Sequence, residues 1–219
     1  MEKKIPKKEL ASHEFRVTIF GSARIQAKDP VYKDIYKLAK SIGKMGVDVI
    51  SGGGPGIMSA ASAGHRDGSD HAKIKSHTIG LNIRLPFEQE PNKDLDLLEN
   101  HDRFSTRLDE FMLLSSMIVV APGGIGTCLE LFYTWQLLQV KHLKRMPIVL
   151  VGEMWKDLIK WIKKWPLKNK LMSEEDMHFI FIVDTWEEAL GLVKTAKLAF
   201  DKQGREALTN WEIYGKKKY

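Results

Sequence analysis

The residues most able to do chemistry lie in one short stretch, Pro122-Gly123-Gly124-Ile125-Gly126-Thr127-Cys128-Leu129-Glu130. It follows the apolar run Met117–Ala121 and precedes an amphipathic segment, Leu131 to Val140. That order reads as strand, glycine turn, helix, and it aims several unpaired backbone N–H groups at one point in space. An anion placed there gains about 0.3–1 kcal/mol from the helix dipole, and up to ~2 kcal/mol when partly buried. The turn is not a P-loop, because no lysine follows its last glycine. Nor is it a dinucleotide fingerprint, because Leu129 stands where the third small residue belongs. Gly52-Gly53-Gly54-Pro55-Gly56 misses that spacing too. Glycine turns with neither a lysine nor a ribose-binding acid suit a monophosphate better than ATP or NAD. With the carboxylate of Glu130 beside the anion seat, the pattern points to an enzyme acting on a phosphorylated small molecule.

Each candidate has a structural alternative. Thr127-Cys128-Leu129-Glu130 matches a capping box, in which the glutamate reaches back to the N-cap amide. Capping and catalysis both place that carboxylate at the start of the helix. Arg107 lies in the helical segment before the glycine-loop strand and has Asp109, Glu110 or another acid as candidate ion-pair partners. Ser22, in the turn Gly21-Ser22-Ala23, has a hydroxyl suited to a phosphate or ribose, and equally to turn-making. His13, His65, His71, His77, His101, His142 and His178 show no metal-ligand spacing, so no metal site is expected. Cys128 reads as a small core-facing residue.

Short β-branched runs alternate with helical patterns and must position these residues. Strands are expected at 17–20, 47–50, 77–83, 117–121, 147–151 and 179–183, and helices at about 30–45, 57–66, 103–115, 155–165 and 185–199. Apolar strands of four or five residues alternating with helices imply a doubly wound α/β domain, with a mostly parallel, Rossmann-like sheet and helices on both faces. Three strands end in glycine turns, at the sheet edge where such folds bind ligands. The polar, proline-bearing segment 84–102 is expected to be a loop over the site. A single domain over 15–202 is expected, between a basic tail at 1–14 and a C-terminal tail at 203–219.

The formal net charge is +6, with much of the excess at the two ends. No basic stripe with interleaved aromatics runs through the body, so nucleic acid is not an expected partner. Cys128 is the only cysteine, no apolar h-region follows the first charges, and no apolar run reaches the length of a membrane span. A cytoplasmic protein without membrane contact is expected.

Pro122-Gly123-Gly124-x-Gly126-Thr127-x-x-Glu130, preceded by Arg107, resembles the LONELY GUY (LOG) family, the cytokinin riboside 5′-monophosphate phosphoribohydrolases. The resemblance covers about residues 15–200 and includes Gly21-Ser22 and the Gly52–Gly56 turn. It also takes in Gly80-Leu81-Asn82-Ile83-x-Leu85-Pro86-x-Glu88-Gln89-x-Pro91-Asn92, which is similar to the larger bacterial branch. It implies hydrolysis of the N-glycosidic bond of a purine nucleoside 5′-monophosphate, AMP or N6-modified AMP, to free base and ribose 5-phosphate, with no cofactor and no metal. By position, Gly123, Gly124, Gly126 and Thr127 would seat the phosphate, Glu130 would act at the ribose, and Arg107 would orient substrate or stabilise charge. Gly21, Ser22, Gly53, Gly54 and Glu88 would add substrate contacts. A homodimer or higher homo-oligomer is implied as well. Relatives in the wider superfamily bind nucleotides or molybdenum cofactor without turnover, and this is the alternative function. The family's "lysine decarboxylase" label finds no support in these residues. One departure stands out: the family usually has Arg-Lys where this chain has Arg107-Leu108.

Overall fold

A computed structural model describes residues 14–84, 90–143 and 146–215. Its strands are β1 (Arg16–Phe20), β2 (Asp48–Ser51), β3 (Thr78–Ile83), β4 (Leu97–His101), β5 (Met117–Val120), β6 (Ile148–Val151) and β7 (Ile180–Val183). Its α-helices are α1 (Pro30–Lys44), α2 (Ile57–Ala72), α3 (Phe104–Leu114), α4 (Ile125–Gln139), α5 (Met154–Ile162) and α6 (Trp186–Gln203). The strands form one seven-stranded sheet in the order β4-β3-β2-β1-β5-β6-β7. Every pairing is parallel, with Val17 opposite Met117 and Phe20 opposite Val120 at the centre. The protein is a Rossmann-like α/β fold.

The strands are apolar because both faces of the sheet are covered. Val17, Ile19, Val49, Met117 and Val119 point to one face, under α1, α2 and α6. Phe20, Ile50, Ile118 and Val120 point to the other, under α3, α4 and α5. The chain winds outward from β1 to β3 with helices on the first face, then returns to β5 and winds the other way with helices on the second. The strand order therefore reverses between β1 and β5. The loops leaving those two strands part there and leave a crevice.

Two expectations are corrected. Segment 84–102 ends in a strand, β4, which pairs with β3 from Ile79–Leu97 to Ile83–His101. Its sequence, Leu-Leu-Glu-Asn-His, lacks the β-branched signature because it forms an edge with polar side chains. Between them, Asn92 donates its backbone N–H to Gly53 O at 2.8 Å and its side-chain amide to Gly54 O at 3.1 Å, so this stretch is tied to the turn after β2. The chain beyond 203 is also packed as far as Tyr214. Short 3₁₀ turns at Arg205–Thr209 and Trp211–Tyr214 bury Leu208, set Tyr214 against Phe181 at 4.9 Å, and let Arg205 donate to Ser115 O. Most of the basic residues at the two ends fall outside the described residues.

Candidate active site

The three glycine turns are fastened to one another by main-chain hydrogen bonds. Ser22 N donates to Pro122 O at 3.1 Å, and Ser22 O accepts from Ile57 N at 3.0 Å. The turn after β1 is thereby held against the turns after both β5 and β2. The approach is close enough to require glycine at position 56: its φ is +66°, and a Cβ there would lie 2.4 Å from Ser22 O. The Ser22 hydroxyl accepts from Arg24 N at 3.1 Å, which makes it a turn-former that also faces the crevice.

Helix α4 starts at Ile125 with Gly124 as N-cap, earlier than the capping-box reading requires. Its first i→i−4 bond runs from Cys128 N to Gly124 O at 2.9 Å, so the N–H groups of Ile125, Gly126 and Thr127 precede the ladder and point out of the helix start. A Cβ added at Gly124 or Gly126 would meet no protein atom within 4 Å, so their backbone is open to the crevice. Thr127 is therefore a first-turn residue whose side chain folds against Gly123. Glu130, in the second turn, does not cap the helix. Cys128 packs against the hydrophobic core.

Instead Glu130 meets Arg107. Arg107 Nη1 lies 3.3 Å from Glu130 Oε1, with side chains only 9% and 12% exposed. The Asp109 and Glu110 alternatives are not realised: Asp109 accepts from the Tyr133 hydroxyl, and Glu110 faces His101. Arg107 is anchored by its Nε–H, which donates to Leu81 O at 2.7 Å, and its guanidinium lies 5.1 Å from the Phe111 ring. Burial pushes the Glu130 carboxyl up to about 7, against the downward pull of Arg107. Burial also lowers Arg107, which Glu130 opposes, but a guanidinium stays charged at any ordinary pH. The pair is thus a fixed cation beside a carboxyl group able to exchange a proton near neutrality.

Both side chains line a cavity of about 510 Å³ at the reversal point of the sheet. Of the other sequence candidates, Gly21, Ser22, Gly54, Gly124, Gly126 and Thr127 also line it. Gly53 and Gly123 do not: Gly53, with φ of +71°, turns toward Gly80 and Leu95, and Gly123 makes room for Thr127. Glu88 lies outside the described residues. Leu108, the departure from the family pattern, is 4% exposed and is not part of the lining, so its difference falls on the packed side of α3.

Sequence reading missed several lining residues. A Cβ at Gly52 would sit 2.4 Å from Arg107 Nη2, so this glycine is what lets the guanidinium lie across the turn. Arg24 is an exposed cation at the edge of the cavity, and Phe104 a half-exposed aromatic ring on its wall. Arg24 had a signal, as a cation two residues past a candidate anion turn. Gly52 had none, since its contact depends on a side chain far along the chain. Among the described residues the one cluster of three metal-ligating side chains, Glu99, His101 and Glu110, stands outside this lining.

A family model described as "Possible lysine decarboxylase" matches residues 58–193, and the chain belongs to this family, the LOG family. Over 141 residues, 62% of its length, the chain is 28% identical to the pyrimidine/purine nucleotide 5′-monophosphate nucleosidase of Escherichia coli K12. It spans 30% of the length of that relative. Among solved structures it is similar to the molybdenum cofactor binding protein of Rippkaea orientalis, with a TM-score of 0.61 and 18% identity over 83% of this chain and 96% of that one. The molybdenum cofactor carrier protein of Chlamydomonas reinhardtii matches with a TM-score of 0.59 and 18% identity, over 84% of this chain and 98% of that one. These two likenesses establish the shared fold.

Proposed function

We propose that this protein hydrolyses the N-glycosidic bond of a purine nucleoside 5′-monophosphate, AMP or an N6-modified AMP, to the free base and ribose 5-phosphate. The observation that carries the reading is the Arg107–Glu130 pair, buried in the same cavity as the open start of α4. A phosphate on the N–H groups of Ile125, Gly126 and Thr127 would set the ribose over the second turn of that helix, beside Glu130. Cleavage of the C1′–N bond leaves positive charge on the sugar, which an ionised Glu130 would stabilise while it takes a proton from the attacking water. The water oxygen then bonds to C1′ as the C1′–N bond breaks, and the proton that water gave to Glu130 passes on to the base nitrogen, directly or through solvent, which leaves Glu130 ionised again. Arg107 would hold Glu130 ionised and in place. Phe104 and Arg24, both on the cavity lining, would offer the base or the phosphate an aromatic wall or a further cation.

The likeness to a nucleotide 5′-monophosphate nucleosidase supports this reading. The decarboxylase description of the family does not, because among the described residues no lysine lines the cavity to supply a Schiff-base amine. The alternative is a carrier that binds a nucleotide or molybdenum cofactor without turnover. Incubation with AMP and N6-modified AMP, followed by chromatography, separates the two. Release of free base by the wild type, reduced ~10²–10⁴-fold in Glu130→Gln with unchanged circular dichroism, is the expected result. Saturable binding with no base released by the wild type would establish the carrier instead.

We also propose that the protein self-associates as a homodimer or larger homo-oligomer through the outer face of α4. Ile125, Leu129 and Phe132 recur there at helical spacing and are exposed. Sedimentation velocity should show a species of at least twice the chain mass, which Leu129→Asp shifts toward monomer.

A further inference from the structure

Helix α3 and the edge strand β4 bring together a second group of chemistry-bearing side chains, outside the cavity. Glu99 and His101 alternate along β4 and so share one face of it. Glu110 comes from α3, one turn beyond Arg107. One candidate ligand atom from each of the three lies within 4.8 Å of the others. His101 Nε2 is 3.0 Å from Glu110 Oε2, and Glu110 is hydrogen-bonded to Glu99.

The hydrogen positions can be assigned from the neighbours. The Thr106 hydroxyl donates to Arg103 O at 3.0 Å, so its oxygen is left to accept from His101 Nδ1–H at 3.3 Å. The proton of the neutral ring is then on Nδ1, and Nε2 offers only a lone pair. His101 is 8% exposed, and its buried Nε2 makes no well-aligned hydrogen bond among the described residues, although Glu110 Oε2 lies 3.0 Å away. A bare imidazole lone pair and two carboxyl groups thus converge on one small volume. A cation accepting electron pairs from all three groups would satisfy them together. A ring fixed through its outer nitrogen, with the inner one aimed at carboxylates, is also the arrangement that orients metal-binding histidines.

We propose that Glu99, His101 and Glu110 form a binding site for one divalent transition-metal ion, of the class that takes imidazole and carboxylate together, such as Zn²⁺, Mn²⁺ or Fe²⁺. Calcium and magnesium favour all-oxygen sites and fit less well. Bonds of about 2.0–2.2 Å place ligand atoms roughly 3–4 Å apart, and rotation of the partly exposed glutamates closes the remaining gap. The ion would pin α3, and with it Arg107, to the sheet edge. The spacing Glu-x-His on a strand with a glutamate on the following helix matches no local zinc pattern, which is why reading the histidines by spacing left this site out.

The test uses the full-length protein stripped with a chelator, freed of it, and titrated with ZnCl₂, MnCl₂ and MgCl₂ in an isothermal calorimeter. One equivalent of Zn²⁺ or Mn²⁺ should bind per chain, with proton release visible as a heat that varies with the buffer. Glu110→Gln and Glu99→Gln should each weaken that binding at least ~tenfold, while Glu130→Gln binds as the wild type does. Glu99, the strand residue, carries the comparison if Glu110→Gln lacks a native circular dichroism spectrum. No saturable one-equivalent binding, binding indifferent to both substitutions, or Mg²⁺ bound as tightly as Zn²⁺ would overturn the proposal.

Discussion

Glu130 is poised by two opposed effects, and their balance sets what pH should do. Burial raises its carboxyl from the ordinary 4.5 to about 7, although Arg107 pulls the other way. In the proposed reaction Glu130 works as the carboxylate, so kcat/KM for AMP should rise with pH through about 7 and level off above it. A profile that falls over that range would make Glu130 a proton donor instead. The same shift has a consequence for stability. A carboxyl raised on folding binds its proton more tightly in the native state, so its ionisation opposes folding. That penalty is absent below pH 4.5, grows as pH climbs toward about 7, and is constant beyond. Glu130→Gln removes it. Relative to the wild type, the variant should therefore gain on the order of 3 kcal/mol between pH 4 and 8, read from urea unfolding at each pH. A constant offset from the altered contact with Arg107 does not change that slope.

At the scale of elements, the pair exists because α3 and α4 converge on the turn after β2, and Gly52 is the point of contact. An alanine there would drive its methyl to 2.4 Å from Arg107 Nη2, the movable end of a long side chain. Gly52→Ala should therefore fold, with Arg107 displaced from Glu130. Its kcat/KM should fall at least ~tenfold, and its rising pH limb should move above that of the wild type because Glu130 has lost its cation. An unchanged limb would mean that the guanidinium finds its way back. This contact also marks how far the sequence is legible. The turn at Gly52–Gly56 is visible as a turn because Gly53 and Gly56 take a positive φ that few other residues adopt, and the strands because β-branched runs are buried on both faces. β4 is hidden because an edge strand with polar side chains has no pattern of its own. The capping-box reading of Thr127 and Glu130 fails for a related reason. A helix that begins at Gly124, with its first N–H groups turned toward a crevice, carries no side-chain cap to announce it. Pairing between Arg107 and Glu130 depends on two helices packed on the same face of the sheet, and no local spacing reports it.

For the whole molecule, the strand order matters more than any single motif. Because the sheet reverses between β1 and β5, the loops after these strands and after β2 meet in one place, and Ser22 locks them together through Pro122 and Ile57. The result is a rigid concave wall whose donors are main-chain amides, already in position before any ligand arrives. In the proposed reaction such a wall would hold the phosphate end of the substrate, whereas the bond to be broken lies at the other end of the ribose. Binding energy from the phosphate would then act on the reaction by holding C1′ against Glu130. Adenosine, which lacks the phosphate, should consequently lose turnover and not affinity alone. With each charge-assisted hydrogen bond worth about 1.5–3 kcal/mol, loss of even two should lower kcat/KM at least ~10²-fold relative to AMP. Ribose 5-phosphate and inorganic phosphate should inhibit AMP cleavage competitively, raising KM at constant kcat, because they occupy the same amides. Adenosine cleaved as fast as AMP, or inhibition by phosphate that leaves KM untouched, would show that the open start of α4 is not where the substrate is held.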